Sequence, residues 1–326
     1  MDKVTVLMAA YNAGEFIARG LDSLARQTHT DIEVICIDDA STDNTPDILD
    51  GYTARDSRFH TIHLPENGGQ AHARNAGLAV ATGEYVCMLD ADDWLSPNAI
   101  ELAVAEFHKC GDTDCVLFDV VMEHGTRSEH YPMPDFTTLP GEEAFRLSLT
   151  WRIHGIYMTR AEIHKRYPYD ESCRLYSDDN TTRLHYLASR KVGRCGGQYH
   201  YLQHGQSATH AVSAKRFDRL RADVSMKKQM ETMGVDNEVI AGYESQRWLN
   251  LIDAYMFYHC HGKELTPNER AFGMAEMEKA WRDIDRAALP TSLSRKPGHW
   301  PMPTWRLFLM QEWAYFTLRD AFGRNR

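Results

Sequence analysis

Apolar residues in the first 120 or so positions fall into short dense runs, separated by stretches with helical spacing. KVTVLMAA is compact, apolar and rich in β-branched residues, which predicts a buried strand, and a helical segment follows from Gly14 to about Gln27. DIEVICIDD predicts a second strand and FHTIHL a shorter third, with Thr45-Pro46 between them suited to a helix start. GQAHARNAGLAVA predicts a helix, EYVCML a fourth strand, NAIELAVAEFHK a helix opened by Ser96-Pro97, and DCVLFDVVM a fifth strand. Strands alternating with helices imply βαβ units and a mostly parallel sheet covered by helices on both faces. Ligands of such sheets collect beyond the carboxyl ends of the strands. Asp38, Asp39, Asp90, Asp92 and Asp93 all fall there.

Residues 125–145 are rich in Pro, Gly and acids and read as a loop or irregular crossover. TWRIHGIYMTRAEIHKR returns to packed structure, and YSDDNTTRLHYLASRKVGRC suggests an acidic turn, a helix and an edge strand. Beyond about residue 213 the pattern is helical. The expected organisation is an α/β domain over 1–212 and a mostly helical extension over 213–326. Near the end, Trp305, Phe308, Leu309, Trp313 and Phe316 recur at three- and four-residue steps on one broad apolar face. That face can pack internally, form a homodimer, or rest at a membrane interface.

Composition removes several classes. A formal net charge of -10 argues against a nucleic-acid binder that relies on a basic face. Seven cysteines, at 36, 87, 110, 115, 173, 195 and 260, form no CxxC pair, so they read as reduced thiols of a cytoplasmic protein. The start, MDKVTVLMAAYN, enters a strand without the apolar segment of a secretory signal, and no run approaches the roughly 20 apolar residues of a bilayer span.

The acidic strand ends then carry the chemistry. Asp90, Asp92 and Asp93 packed together without a partner would raise one another's pKa and oppose folding. A hard cation such as Mg2+ offsets that charge, commonly using one or two protein carboxylates together with substrate phosphates. Asp90 and Asp92 share a direction in an extended chain, leaving Asp93 to cap the following helix or orient a neighbour. A solvated acidic turn accounts for the same residues. Asp38 and Asp39 can accept from a nucleobase or ribose, or simply hold a turn. Gly68-Gly69 before a helix, with Arg74 inside it, suits phosphate, although a turn with a paired Arg is equally consistent. Neither GxGxxG after the first strand nor GxxxxGK[ST] is present. The HCH at 259–261 lacks the partners of a zinc site.

Taken together, VTVLMAAYNAGEFI, VICIDDASTDNT, ENGGQAHARNAGLAVATGEYVCMLDADDW and YDESCRLYSDDN closely resemble the family 2 glycosyltransferases of the GT-A fold, of the bacterial envelope or capsular polysaccharide type. The resemblance is close over residues 3–120 and looser to about 210. It implies a nucleotide-sugar donor, usually a UDP-sugar, transfer with inversion, and a saccharide or lipid-linked acceptor. It implies that Ala9, Ala10, Tyr11 and Asn12 line the base pocket, with Asp38 and Asp39 beside them and Asp39 on the uracil. Arg74 would lie near the base or diphosphate. In the family's DxD, here Asp90-Ala91-Asp92, Asp90 approaches the ribose and Asp92 holds Mg2+ or Mn2+, with Asp90 as the second candidate ligand.

The family's catalytic ED pair aligns with Asp178 and Asp179, which makes Asp179 the general base and Asp178 an acceptor-orienting neighbour. Asp replaces Glu in the pair, which loosens the role of Asp178. YHYLQHGQSATH resembles a donor-phosphate segment and offers Tyr201, Gln203, His204 and Ser207, but Gln and Leu stand near positions where Arg is common. His154 and Trp151 fall on the acceptor side by the same resemblance, and ordinary packing explains them as well. A cytoplasmic enzyme, peripheral at the inner face of the membrane, is the implied setting. Competing readings are a nucleotidyltransferase acting on sugar phosphates and a noncatalytic sugar-nucleotide or polysaccharide binder.

Overall fold

A computed structural model describes residues 2–109, 111–172, 175–203 and 212–323. The first dense apolar run forms β1 (Val4–Ala10), and its side chains alternate between two cores as the two-residue strand period requires. Val4, Val6 and Met8 join Ile17, Leu21 and Leu24 of α1 (Ile17–Ala25). Leu7 turns the other way, to Ala73 and Leu78 of α3 (Gln70–Val80). β2 (Ile32–Asp38) is buried along its whole length and pairs in parallel with β1, Val4 opposite Ile32 and Ala10 opposite Asp38. After α2 (Thr45–Thr53), β3 (Phe59–His63) adds outside β2. On the other side of β1 lies β4 (Tyr85–Met88), also parallel.

Beyond β4 the sheet departs from the expected mostly parallel pattern and is mixed. β9 (Tyr157–Arg160) inserts antiparallel between β4 and β6 (Thr113–His124). β10 (Lys191–Leu202) runs parallel to β6 and antiparallel to both β5 (Trp94–Leu95) and β8 (Thr138–Pro140). It is therefore an interior strand and not the edge strand its sequence suggested, because β5 and β8 cover its outer side. The order is β3-β2-β1-β4-β9-β6-β10-β5. The stretch 125–145, expected to be irregular, holds β7 (Arg127–His130) in a hairpin with β6, then β8 and the start of α5 (Gly141–Ser148). α4 (Ala99–Lys109), α6 (Ala161–Arg166) and α7 (Ser177–Ala188) complete this part.

The chain divides into two compact units, one of residues 1–171 with 177–207 and one of 172–176 with 208–326. The second unit is helical: α8 (Asp218–Met233), α9 (Asn237–His261), α10 (Pro267–Asp283), the short α11 (Thr291–Ser294) and α12 (Trp305–Ala321). Its core joins Trp248, Tyr255 and Trp281 to Phe308 and Phe316 of α12. The single tail face expected from spacing is split. Trp305, Phe308, Leu309 and Phe316 pack inward, whereas Trp313 is 62% exposed. In this unit His259 pairs with Asp320 and His261 with Glu264. Among the described residues Cys36, Cys87, Cys115 and Cys195 are buried free thiols and Cys260 is an exposed one. Among them, too, no helix is long and apolar enough to cross a membrane.

Candidate active site

Parallel pairing brings the carboxyl ends of β2, β1 and β4 side by side, and the acids follow from that register. Ala9 and Ala10 end β1, and the chain turns at Asn12, whose φ of 49° is left-handed. Ser41 and Thr42, beyond β2, hold this turn: Asn12 N–H donates to Ser41 Oγ at 2.9 Å, and Thr42 N–H to Asn12 Oδ1 at 2.8 Å. Ala13 and Gly14 N–H donate to Thr45 Oγ1 and Asp43 Oδ2. Tyr11 is left half exposed on the interlocked loops.

Asp38 and Asp39 are both buried and differently employed. Asp38 Oδ1 accepts from Ser41 N–H at 3.0 Å and its Oδ2 meets His63 Nδ1 at 3.2 Å. Asp39 reaches across to the glycines before α3, accepting from Gly68 N–H at 2.8 Å and Gly69 N–H at 2.9 Å. Gly69 has φ 88°, a conformation that favours glycine and lets its amide face the carboxylate.

From α3, buried Arg74 donates through Nη2 to Asp90 Oδ1 at 2.6 Å, and its guanidinium lies 5.2 Å from the Tyr169 ring centroid. Burial opposes its charge, but Asp90 holds it protonated, above the ordinary arginine range. Gln70 Nε2 also donates to Asp90 Oδ1, at 3.3 Å. Asn75, on the same helix, exchanges bonds with the Tyr169 backbone and donates to Glu171 Oε1 at 2.7 Å. The YDE segment is thereby strapped to α3. Gln70 carried no site signal in the sequence, and Asn75 and Tyr169 entered only as parts of the ARNAG and YDE segments; the close helical spacing of Gln70, Arg74 and Asn75 is the clue that was there.

Past β4, the three acids of the DADD turn separate. Asp90 is paired with Arg74, and its N–H donates to Tyr199 Oη at 3.1 Å. Ala91 and Asp92 are half-buried. Asp93 is fully buried, accepting from Tyr199 O–H at 2.7 Å and Leu202 N–H at 2.8 Å. Burial first, then the charges of Asp90 and Asp92, push its carboxyl up to about 9. Of the two roles expected for Asp93, it takes the second: it fixes β10 and does not cap α4. Tyr201, further along β10, is half-buried, and burial with the charges of Asp93, Asp90 and Asp92 raises its phenol. His204 and Ser207 lie outside the described residues.

Asp178 and Asp179 open α7, where Asp179 N–H donates to Asp178 Oδ1 at 3.0 Å. Burial raises the Asp178 carboxyl; Asp179 and Asp90 push the same way, and Arg74 opposes them. Asp178, Arg74 and Asp90 thus share one electrostatic site. His154 is buried; its ring meets Tyr131 edge-on, and desolvation drops its pKa to about 3. It lies in the core and remains neutral, while Trp151 is 42% exposed with φ 55°.

Among the described residues no group of three or more His, Cys, Asp or Glu forms a cage for a metal. The donors present suit the looser mode in which one or two carboxylates share a hard cation with phosphates. Asp92 is half-buried at the turn, and Asp90 adds a carboxylate whose Oδ1 is the oxygen that Arg74 and Gln70 use.

A family model described as Glycosyl transferase family 2 matches residues 5–171, just over half of the chain. Glycosyltransferase GlyG of Streptococcus pneumoniae is 35% identical over 114 residues, 35% of this chain and 38% of that protein. Chondroitin synthase of Pasteurella multocida is 40% identical over 113 residues, 35% of this chain and 12% of that protein. The matched stretch spans well under half the length of these relatives. In fold, S. aureus TarS 1-349 in complex with UDP-GlcNAc gives a TM-score of 0.77 at 18% identity, covering 99% of this chain and 92% of that one. Mannosyltransferase PcManGT from Pyrobaculum calidifontis, in complex with GDP-Man and Mn2+, gives 0.54 at 16% identity, covering 99% and 88%. With the α/β sheet and helical extension of a GT-A protein, and a family match over residues 5–171, the chain belongs to glycosyl transferase family 2.

Proposed function

We propose that this chain transfers a glycosyl group from a nucleoside diphosphate sugar, a UDP-sugar, to a hydroxyl of a saccharide or lipid-linked saccharide, inverting the anomeric carbon. The observation that carries the reading is the convergence of three parts in one unit: the interlocked loops after β1 and β2, the Arg74–Asp90 pair, and the acidic start of α7. The TarS complex with UDP-GlcNAc supports the choice of donor. Residues 1–212 would form the catalytic domain and 213–326 its helical extension.

In this reading the loops around Asn12 and Asp39 take the nucleotide base. Arg74 fixes Asp90 so that its second oxygen and Asp92 face the diphosphate. These two carboxylates would hold Mg2+ or Mn2+, which when bound supplies positive charge to the departing diphosphate. Asp179 accepts the proton of the acceptor hydroxyl as its oxygen bonds to the anomeric carbon. The bond from that carbon to the diphosphate oxygen breaks with its electron pair, releasing the nucleotide, and attack from the opposite face inverts the centre. Asp178, whose carboxyl burial raises above the ordinary range, orients the acceptor. Asp179→Asn should bind donor normally and lose transfer by about 100-fold or more, the usual worth of a general base. Nucleotide release with acceptor, against calorimetric donor binding, reads both; undiminished transfer rejects the assignment.

A further inference from the structure

The exposed Trp151 ring lies against a cation that has no hydrogen-bond partner among the described residues. Arg183 lies on α7, is 1% exposed, and among the described residues none of its Nε, Nη1 and Nη2 atoms has a hydrogen-bond partner. Its guanidinium sits 5.6 Å from the centroid of the Trp151 ring. Taking such an ion out of water costs several kcal/mol, and it carries five N–H donors. A cation–π contact returns only about 0.5–2 kcal/mol. The other deeply buried arginine of this unit, Arg74, is by contrast paired with a carboxylate.

Trp151 itself is held at its backbone and open at its ring. Its N–H donates to Ser148 O at 3.2 Å, and its carbonyl accepts from Tyr131 O–H at 2.5 Å. Its left-handed φ of 55° is costly for so bulky a residue, and such strain persists where surrounding structure imposes it. The ring is the part that can move away from the guanidinium.

We propose that Arg183 and Trp151 form an acceptor subsite for an anionic sugar unit: the ring slides to stack on the sugar, and the guanidinium takes its carboxylate or phosphate oxygens in a bidentate pair. The assignment rests on the reading of Asp179 as base. Four residues apart, Asp179 and Arg183 share a face of α7, separated by about 6 Å along its axis. The acceptor's charge therefore belongs to the sugar bearing the attacking hydroxyl, or to its neighbour.

The test is calorimetric binding to the full chain, with UDP and Mn2+ present, of methyl β-D-glucuronide, sn-glycerol 3-phosphate and neutral methyl β-D-glucoside. At least one anion should bind about tenfold or more tightly than the glucoside, and the tighter one identifies carboxylate or phosphate as the source. Arg183→Met should abolish that preference while matching or exceeding the wild-type urea midpoint, since an unpaired buried charge is gone; Arg183→Lys should keep part of it. Trp151→Ala, which uncovers the guanidinium without opening the core, should raise anion affinity relative to glucoside affinity. Equal binding of anion and glucoside by the wild type, no anion binding, or a preference that survives in Arg183→Met overturns the proposal, as does an unchanged ratio in Trp151→Ala. UDP binding, measured first in the same cell, keeps the donor reading separate: UDP bound without anion preference sinks only the subsite, and the reverse result sinks only the donor site.

Discussion

Asp90, Asp92 and Asp93 stand within four positions and sit in three different surroundings. Asp90 is tied to Arg74, Asp92 is half-buried at the turn, and Asp93 is a fully buried strut to β10. Removing the strut leaves Leu202 N–H and Tyr199 O–H without their acceptor. Asp93→Ala should lower unfolding free energy by about 2–4 kcal/mol in urea titration. Asp92→Ala should lose metal-dependent nucleotide release. Sequence spacing set Asp93 apart on the premise of an extended chain, whereas residues 90–93 form a turn in which Asp93 N–H donates to Asp90 O at 3.1 Å. Spacing left Asp93 between two roles because the deciding partner, Tyr199, lies 106 residues away. Arg183 escaped notice for a related reason: an Arg inside a polar helix looks solvated until the fold buries it.

Individual elements were legible where the apolar pattern is local, and their directions were not. The parallel order of β1 to β4 follows from strand–helix alternation, whereas the antiparallel insertion of β9 depends on long-range pairing that periodicity does not encode. The hairpin of β6 and β7 was hidden because β7 is exposed and polar throughout. α6 and α7 carry a further consequence. His164 is buried, with both ring nitrogens unpartnered among the described residues and its ring centroid 4.5 Å from that of His185. Burial drives His164 well below the ordinary 6.5 and takes His185 to about 4 and His154 to about 3. These groups bind protons in the unfolded chain before they do so in the folded one. Their stabilisation is complete above about pH 6.5 and is lost as pH falls toward 4, each on the order of 1 kcal/mol per pH unit. His164→Leu should reduce that decline by about a third, read from urea midpoints at neutral and mildly acidic pH. On α12, Phe316→Ala should cost about 3–5 kcal/mol, and Trp313→Ser should stay within about 0.5 kcal/mol, because only the first ring is in the core.

For the whole molecule, family-level sequence similarity and fold similarity have different reach. The family model ends at residue 171, yet the fold likeness to TarS covers 99% of the chain. Over the helical unit the likeness is one of fold alone, and apolar spacing is enough to specify such a core under wide substitution. The absence of a three-ligand cage among the described residues sets an expectation for metal removal. Chelation with EDTA should abolish transfer and leave the thermal midpoint within about 1 °C in the absence of nucleotide, since a weakly held ion adds little stability. UDP with Mn2+ should raise the midpoint, and Mn2+ alone should not. A large fall on chelation alone would point to a structural ion.

The N-terminal half of α3 meets two different groups: Asp39 grips the amides of Gly68 and Gly69 just before it, and Arg74, one turn inside, grips Asp90. In the proposed reading, the groups that take the base and those that face the diphosphate are thus spaced by the first turns of one helix. On that reading a donor with a longer or shorter phosphate bridge would be out of scale with it, and the start of this helix would act as a ruler for the spacing between base and sugar.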